Sequence, residues 1–277
     1  MRIALGVDYD GSAFHGWQKQ PGGGTVQDAL QTALARIAGE PVTVVCAGRT
    51  DAGVHATGQV VHFDTALERP LTAWVRGTNT FLPATVAVRW AQPVADNFHA
   101  RYSAFARCYR YLLVNEPQRS GVWQGRTGWY HHPLDSERMQ AAADLLLGEH
   151  DFSAFRAAEC QAKSPVKTMQ LAAVRRAGKL IVFDFEAGAF LQHMVRNLVG
   201  SLVYIGQGKH PPEWIADLLQ ARERRLAAPT FSASGLYLAA VKYDPHWGLP
   251  ANDDALLPAL STFAKVVYEC GSAHQER

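Results

Sequence analysis

Residues 42–63 read VTVVCAGRTDAGVHATGQVVHF, a polar loop between two short apolar runs. The runs Val42–Cys46 and Val60–Phe63 are rich in β-branched residues and bounded by glycine, which predicts two β-strands. Arg49 and Asp51 lie close together in the loop, between glycines that let the backbone turn sharply. Loops held by two strands often carry catalytic side chains, so Asp51 is the first candidate for a functional residue. An aspartate that only caps a turn is the competing interpretation.

Periodicity on either side of this loop predicts a βαββαβ unit in the first half of the chain. Thr25 is a good helix N-cap, and Gly39 ends the helical pattern that follows it. The predicted elements are strand Arg2–Tyr9, a helix from Val26 to Ile37, strands Val42–Cys46 and Gly58–Phe63, a helix from Thr72 to Phe81, and strand Thr85–Ala91.

The second half repeats the same order of elements without sequence identity to the first. It comprises strand Ala106–Val114, a helix capped by Asp135 or Ser136 through Leu147, strands Met169–Arg176 and Leu180–Ala187, helices Ala189–Ile205 and Pro211–Ala221, and strand Leu236–Tyr243. Two such units predict an α+β fold with two RRM-like or ferredoxin-like domains. We expect domains at 1–104 and 105–247 and a tail at 248–277, and sheets of this kind often bind RNA.

Composition limits the class of protein. The 277 residues are 48% hydrophobic and 19% charged, which is typical of a globular chain of about two domains. No apolar run approaches the ~18 residues of a membrane span, and the N-terminus lacks the apolar core of a signal peptide. The four cysteines form no Cys-x-x-Cys pair, so we expect neither a disulfide framework nor a zinc site, and a cytoplasmic location fits.

The net charge is only +2, but the basic side chains are unevenly distributed. Residues 99–130 contain five arginines against one glutamate, and residues 152–180 contain six basic side chains against one glutamate. The tail 244–277 is acidic, with five acids against two bases. Two basic stretches on a nearly neutral chain indicate a face that binds a polyanion, although solvated surfaces balanced elsewhere give the same pattern.

Two other chemistries are poorly supported. The stretch Leu5–Ser12 resembles the first motif of haloacid-dehalogenase-type phosphatases, but the later acidic pair of their metal site has no counterpart before the tail. The run Gly22–Thr25 precedes a helix but lacks the Gly-Lys-Ser/Thr of a P-loop. No histidine has metal-ligand spacing to a carboxylate or thiolate, so we expect no metal.

Arg196 is unusual because it lies in the apolar stretch 190–199, where a guanidinium usually needs an anionic partner. We predict that its partner is Asp51, with Leu236 packed nearby. Along Ala106–Val114, alternation places Tyr109 on one face of the strand, and aromatic residues interleave with arginines around it. This pattern suits base stacking and phosphate contact, although tyrosines at a core edge are equally compatible with it.

Several motifs, in the same order, closely resemble the TruA family of tRNA pseudouridine synthases. Beside residues 47–56, they are Tyr9–Gly11, Gly16–Gln18, Thr25–Gln27, Asn97–Tyr102, Arg107–Tyr111, His193–Asn197 and Ala233–Tyr237. The resemblance implies a pseudouridine synthase fold with a central cleft. It also implies isomerisation of uridine to pseudouridine at positions 38, 39 and 40 of the tRNA anticodon stem-loop, by a homodimer without metal or cofactor.

By this resemblance Asp51 is the catalytic nucleophile, and the target base is flipped out of the stem. Arg49 is expected to replace the flipped base and to pair with Asp51 before the tRNA binds. Tyr109 is expected to stack on the uracil, while Arg196 and Leu236 supply the charge partner and a wall of the pocket. Expected RNA contacts are Phe98, His99, Ala100, Arg101, Tyr102, Gln161 and Lys163. The alternative from a different class is a non-catalytic RRM-like tRNA-binding protein or RNA chaperone.

Overall fold

The computed structural model describes residues 1–250 and contains one large, mostly antiparallel sheet with helices packed against it. The strands are β1 (Arg2–Tyr9), β2 (Val45–Cys46), β3 (His55–Asp64), β4 (Val86–Val94), β5 (Ala104–Asn115), β6 (Gly128–Tyr130), β7 (Gly148–Asp151), β8 (Val166–Ala177), β9 (Leu180–Ala187) and β10 (Leu236–Tyr243). The helices are α1 (Val26–Ala38), α2 (Thr78–Phe81), α3 (Ser136–Asp144), α4 (Met194–Gly206) and α5 (Trp214–Ala221). A π-helical turn, Ala73–Gly77, leads into α2.

Both halves have the strand order of a ferredoxin-like unit. In the first half β4, β1, β3 and β2 are neighbours in that order, and in the second half the order is β10, β5, β9 and β8. Each unit is antiparallel, and the two meet where β10 lies parallel to β3. The predicted α+β duplication is confirmed in its architecture. The sheet is continuous across the expected boundary, which falls where β5 begins, and the division into two domains stays a prediction.

Two apolar cores pack on the sheet, one mainly in each half, with Leu238 and Val241 of β10 in the first and Val54 in the second. The first core contains Trp17 and Trp74 between the sheet and the helices of that half, and the second contains Phe183 and Phe185 beneath α3 and α4. Tyr109 packs against both cores. The middle of the sheet, where β3 meets β10, therefore lies between the two cores, and the loop after β2 lies at this place.

Several predicted boundaries were wrong. The strand expected at 42–46 is shortened to β2, and α3 ends at Asp144 because a further strand, β7, begins at Gly148. The helix expected from Ala189 begins only at Met194, since the preceding residue His193 adopts a left-handed φ of 61°. Residues 251–277 of the predicted tail lie outside the described residues. Among the residues described, no helix has the length and apolar character that a membrane crossing requires.

Candidate active site

The loop that carries Asp51 is fixed at its start by Gln59. The fully buried amide of Gln59 donates to the carbonyl oxygen of Gly48 over 2.6 Å and accepts from the Gly48 N–H over 3.4 Å. The Ala47 N–H also donates to the Val60 carbonyl, which continues the pairing of β2 with β3. The side chain of Gln59 therefore acts as one more step of the β-ladder and sets where the loop leaves the sheet.

Thr50, the residue before Asp51, is held by Tyr9 at the end of β1 and by the segment that follows β1. The Thr50 hydroxyl lies 2.8 Å from the hydroxyl of Tyr9, and the Thr50 carbonyl accepts from the N–H of Trp17. Gly16 has a φ of +89°, and a Cβ there would lie 2.8 Å from the Thr50 carbonyl oxygen. Only glycine permits this approach without strain, so the backbone on both sides of Asp51 is tightly constrained.

Asp51 has two basic side chains from the other half of the molecule beside it, an arginine and a histidine. Its Oδ2 atom lies 3.4 Å from Nη1 of Arg196 and 3.4 Å from Nε2 of His193. The carboxylate is 27% exposed, so it is partly shielded but open to a ligand. The predicted pairing of Arg196 with Asp51 is confirmed. The contact from His193 was not predicted.

The start of α4 orients both partners of Asp51. His193 caps the helix in its left-handed conformation, and Arg196 lies in the first turn. The Nε atom of Arg196 donates to the carbonyl of Phe231 over 2.8 Å, which leaves Nη1 directed at Asp51. Because Nε is bonded to the Phe231 carbonyl and Nη1 to Asp51, the guanidinium has a fixed orientation.

Tyr109 forms the apolar side of the site. Its ring packs edge-on against Phe190, with the ring centroids 5.0 Å apart. Burial raises the pKa of the Tyr109 hydroxyl well above its usual value, and the nearby Asp51 carboxylate raises it further. A Cβ at Gly48 would lie 3.7 Å from this hydroxyl, so the loop passes close to it. Tyr109 is therefore a neutral phenol at physiological pH, beside the carboxylate.

Leu236 lies at the start of β10, directly opposite Tyr111 on β5. It is only 5% exposed and belongs to the core of the second half, which also contains Val54 at the end of the Asp51 loop. Its place as a wall of the pocket stays a prediction. Arg49, by contrast, is exposed, and within residues 1–250 it forms no ion pair with Asp51. The expected Arg49–Asp51 pair is not formed in this conformation, where Arg196 of α4 lies beside Asp51 instead.

The segment 98–102 is divided between core and surface. Phe98 and Ala100 are fully buried, and their assignment as RNA contacts stays a prediction. They hold a loop that displays Arg101 and Tyr102, with the Arg101 guanidinium 5.7 Å from the centre of the Tyr102 ring. Tyr102 is 76% exposed, and His99 stacks against it.

Gln161 and Lys163 are exposed on the loop 156–165. This loop is joined to the residue before His193, because the Ala157 N–H donates to the Gln192 carbonyl and the Gln192 N–H donates to the Cys160 sulfur. The second basic stretch of the sequence therefore approaches the entrance to α4, next to Asp51. Among the described residues, no group of three or more His, Cys, Asp or Glu side chains could hold a metal ion.

Comparison with known proteins assigns this arrangement to a family. A family model described as tRNA pseudouridine synthase matches residues 6–103 and 142–244. These ranges include Asp51, His193 and Arg196 but not Tyr109. The chain belongs to the tRNA pseudouridine synthase family. This family consists of isomerases, so the chain is an enzyme, and neither the phosphatase interpretation nor a purely RNA-binding one is favoured.

Curated relatives support the same family over most of the chain. A protein named tRNA pseudouridine synthase A from Dechloromonas aromatica is 68% identical over 257 residues, which cover 92% of this chain and 98% of the relative. Proteins of the same name from Methylobacillus flagellatus and Burkholderia cenocepacia are 59% and 58% identical. These matches cover 92% and 95% of this chain and 98% of each relative.

Proposed function

We propose that this protein converts uridine to pseudouridine at positions 38, 39 and 40 of the tRNA anticodon stem-loop, with Asp51 as the nucleophile. The observation that carries the proposal is the Asp51 carboxylate, which is partly open and has Arg196 and His193 each 3.4 Å away. A carboxylate in this setting has an arginine as its charge partner and is still open to a substrate. The family membership of the chain supplies the reaction.

The reaction is an isomerisation, so no atoms are gained or lost overall. The N1–C1′ bond of uridine breaks, the uracil turns, and a new bond forms between C5 and C1′. The proton on C5 is then lost while N1 carries one in the product. As the N1–C1′ bond breaks with its electron pair going to the uracil, Asp51 attacks C1′ or stabilises its positive charge. The carboxylate leaves again when C5 bonds to C1′, and Arg196 compensates its charge before and after this step.

Tyr109 suits the role of a platform for the turning base. Its ring is held by Phe190 beside the Asp51 loop, and a flat apolar surface there allows the uracil to rotate while staying stacked. The raised pKa of its hydroxyl makes the phenolate scarce at neutral pH, which favours stacking and hydrogen bonding over a role as a permanent base. Leu236 completes the apolar wall of the pocket.

The tRNA would lie across the basic loops on either side of this site. Arg101 and Tyr102 on one side, and Gln161 and Lys163 on the other, are exposed and suited to phosphate contact and stacking. The exposed Arg49 is free to enter the space that a flipped base leaves in the stem. A cytoplasmic homodimer without metal or cofactor is part of the proposal by family likeness. Sedimentation of the purified protein tests the dimer.

The deciding experiment incubates the purified protein with an unmodified tRNA that carries uridines at 38–40, in the presence of EDTA. Pseudouridine is mapped by chemical labelling and primer-extension stops. Asp51→Asn should lower product formation by about 10³-fold or more while tRNA binding is retained, because only the nucleophile is lost. Asp217→Asn, at an exposed position on α5, is the matched control and should behave as the parent.

Other results would count against the proposal. Binding by the parent without product, across several tRNAs, would support the alternative of a non-catalytic tRNA-binding protein or RNA chaperone. Product from Asp51→Asn at the parent rate would remove Asp51 from the mechanism. Product at sites outside 38–40 would keep the reaction but change the assigned positions.

A further inference from the structure

His55 lies where the two halves of the molecule meet, four residues after Asp51. Its side chain is 2% exposed. The N–H of Gly11 donates to its Nδ1 atom over 3.1 Å, and its Nε2 atom lies 3.1 Å from the carbonyl oxygen of Ser234. A backbone N–H can only donate and a carbonyl can only accept, so these contacts require a neutral ring with its hydrogen on Nε2.

The segment 231–236, to which His55 donates, also holds the cationic partner of Asp51. The Phe231 carbonyl accepts from Nε of Arg196, and the Ser232 carbonyl accepts from the Tyr111 hydroxyl over 2.9 Å. The same segment leads directly into Leu236 at the start of β10. Movement of this segment relative to β3 would therefore displace Arg196 and Leu236 from Asp51 together.

The backbone ladder that joins the halves is short, although the Thr57 hydroxyl also donates to the Ala239 carbonyl and Leu238 and Val241 of β10 pack into the first core. In the ladder between β3 and β10 only two residue pairs are in register, Tyr237 with His55 and Leu238 with Ala56. The His55 ring stacks on Tyr237 with 4.6 Å between the ring centroids and 21° between the planes. His55 therefore connects the end of the Asp51 loop to the segment 231–236, which holds Arg196 and contains Leu236.

We propose that His55 is a positioning residue for the isomerisation, acting through the Nε2–H···O bond to Ser234 that keeps Arg196 and Leu236 in register with Asp51. This inference rests on the proposed function and adds to it a residue that touches neither the substrate nor the reacting atoms. A misplacement of about 1 Å in such a site is enough to slow a reaction by about 10²-fold.

Among the charged and titratable groups around the ring, Asp10 opposes a neutral imidazole, and burial of the ring outweighs it. Asp10 lies 3.2 Å from Nδ1, but the same carboxylate oxygen already accepts from the N–H and the hydroxyl of Ser12. Arg126 approaches Asp10 from the other half, at 3.4 Å, and Tyr237 covers one ring face with a phenol whose pKa is raised to about 12 by burial. Burial lowers the pKa of His55 despite the opposing effect of Asp10.

Two substitutions separate the two ends of the ring. His55→Gln retains an N–H donor at the reach of Nε2, whereas His55→Asn retains an acceptor at the reach of Nδ1 but cannot reach Ser234. Both lose the stacking on Tyr237, and the packing effect of the one methylene by which they differ is measured by their thermal unfolding. We expect His55→Gln to keep kcat within about 5-fold of the parent and His55→Asn to lose about 30-fold or more. The Kd for tRNA should stay within about twofold in both, since no RNA contact is removed.

The readouts are single-turnover rates, tRNA affinity and thermal unfolding of the parent and both variants. Equal losses in the two variants, or a loss that follows the fall in Tm or in tRNA affinity, would overturn the positioning role. In the parent, ¹⁵N spectra of histidine-labelled protein should show His55 as the neutral Nε2–H tautomer at pH 7. The Nδ1–H tautomer or a charged ring would overturn the inference without any activity assay. A parent that makes no pseudouridine would instead overturn the proposed function.

Discussion

At the scale of single residues, Gln59 determines where the Asp51 loop begins. It is fully buried, and its amide forms both hydrogen bonds with the backbone of Gly48. Replacing it with the isosteric glutamate removes the donor to the Gly48 carbonyl. Leaving a buried carbonyl without a donor costs about 1–3 kcal/mol. We therefore expect Gln59→Glu to lower Tm and to reduce kcat about 10-fold by displacing Asp51.

Urea unfolding and single-turnover rates measure both effects. Gln118→Glu, at an exposed position, makes the same chemical change without a buried partner and should be neutral. A Gln59→Glu protein with parental stability and rate would show that the loop does not depend on this amide.

The sequence predicts the contact between Arg196 and Asp51 because an arginine in an apolar helix requires an anion. It does not predict His193, because the contact depends on a left-handed residue that starts α4 later than the apolar pattern indicates. The Arg49–Asp51 pair is wrong for a related reason. Closeness in the sequence of a loop does not determine which way two side chains point, and the side chain of Arg49 is exposed. Pairings across the fold are set by packing that local patterns do not contain.

At the scale of elements, the turn at Gly16 supports the Asp51 loop. Its φ of +89° and the carbonyl of Thr50, 2.8 Å from where a Cβ would lie, leave no room for a side chain. We expect Gly16→Ala to cost about 1–3 kcal/mol through the strained backbone and to lower kcat by displacing Thr50 and Asp51. Gly22→Ala is the matched control, because a Cβ there meets nothing within 4 Å. Equal stability and activity of the two variants would contradict this account.

The loop 98–103 depends on a histidine that must stay neutral. His62 is 4% exposed and its Nδ1 accepts from the Ala100 N–H over 3.1 Å. Burial, with Arg2 and His99 nearby, lowers its pKa from 6.5 to about 4. As the pH falls, the unfolded chain binds this proton near 6.5 and the folded chain only near 4. Stability contributed by neutral His62 is therefore complete above pH 6.5 and is lost as the pH falls toward 4.

We expect the parent to lose up to about 3 kcal/mol more than His62→Asn between pH 6.5 and 4, because asparagine can accept the same N–H but does not titrate. Urea unfolding of both proteins at pH 7 and pH 4.5 measures the difference. Identical pH dependence in the two proteins would exclude His62 as its source.

Most long elements follow from periodicity, because β1, β9 and β10 have the predicted bounds and α1 has the predicted caps at Thr25 and Gly39. The short strands β6 and β7 do not follow, because three or four residues carry no periodic signal and pair only when a neighbour presents its edge. The shortening of β2 has a different cause, since the Val44 N–H donates to the side chain of Gln31 on α1 instead of to β3.

At the scale of the whole molecule, the site exists because two similar sheets are joined edge to edge. Asp51 comes from one half, while Arg196, His193 and Leu236 come from the other. The family assignment rests on matches in both halves, 6–103 and 142–244. We therefore expect activity to depend on how the two halves are positioned relative to each other, independently of the stability of each core.

Gly58 lies where the backbone of β3 passes close to the backbone of β10, and we call this contact the joint between the two halves. A Cβ there would clash with the carbonyl oxygen of Ala239 on β10, and this backbone atom cannot turn aside. We expect Gly58→Ala to separate β3 from β10 and to lower kcat at least about 10-fold. Because each half keeps its own core, far-UV circular dichroism should be nearly unchanged. Gly121→Ala, where a Cβ meets nothing within 4 Å, should match the parent. If Gly58→Ala kept the parental rate, the joint between β3 and β10 would not be what aligns Asp51 with its partners.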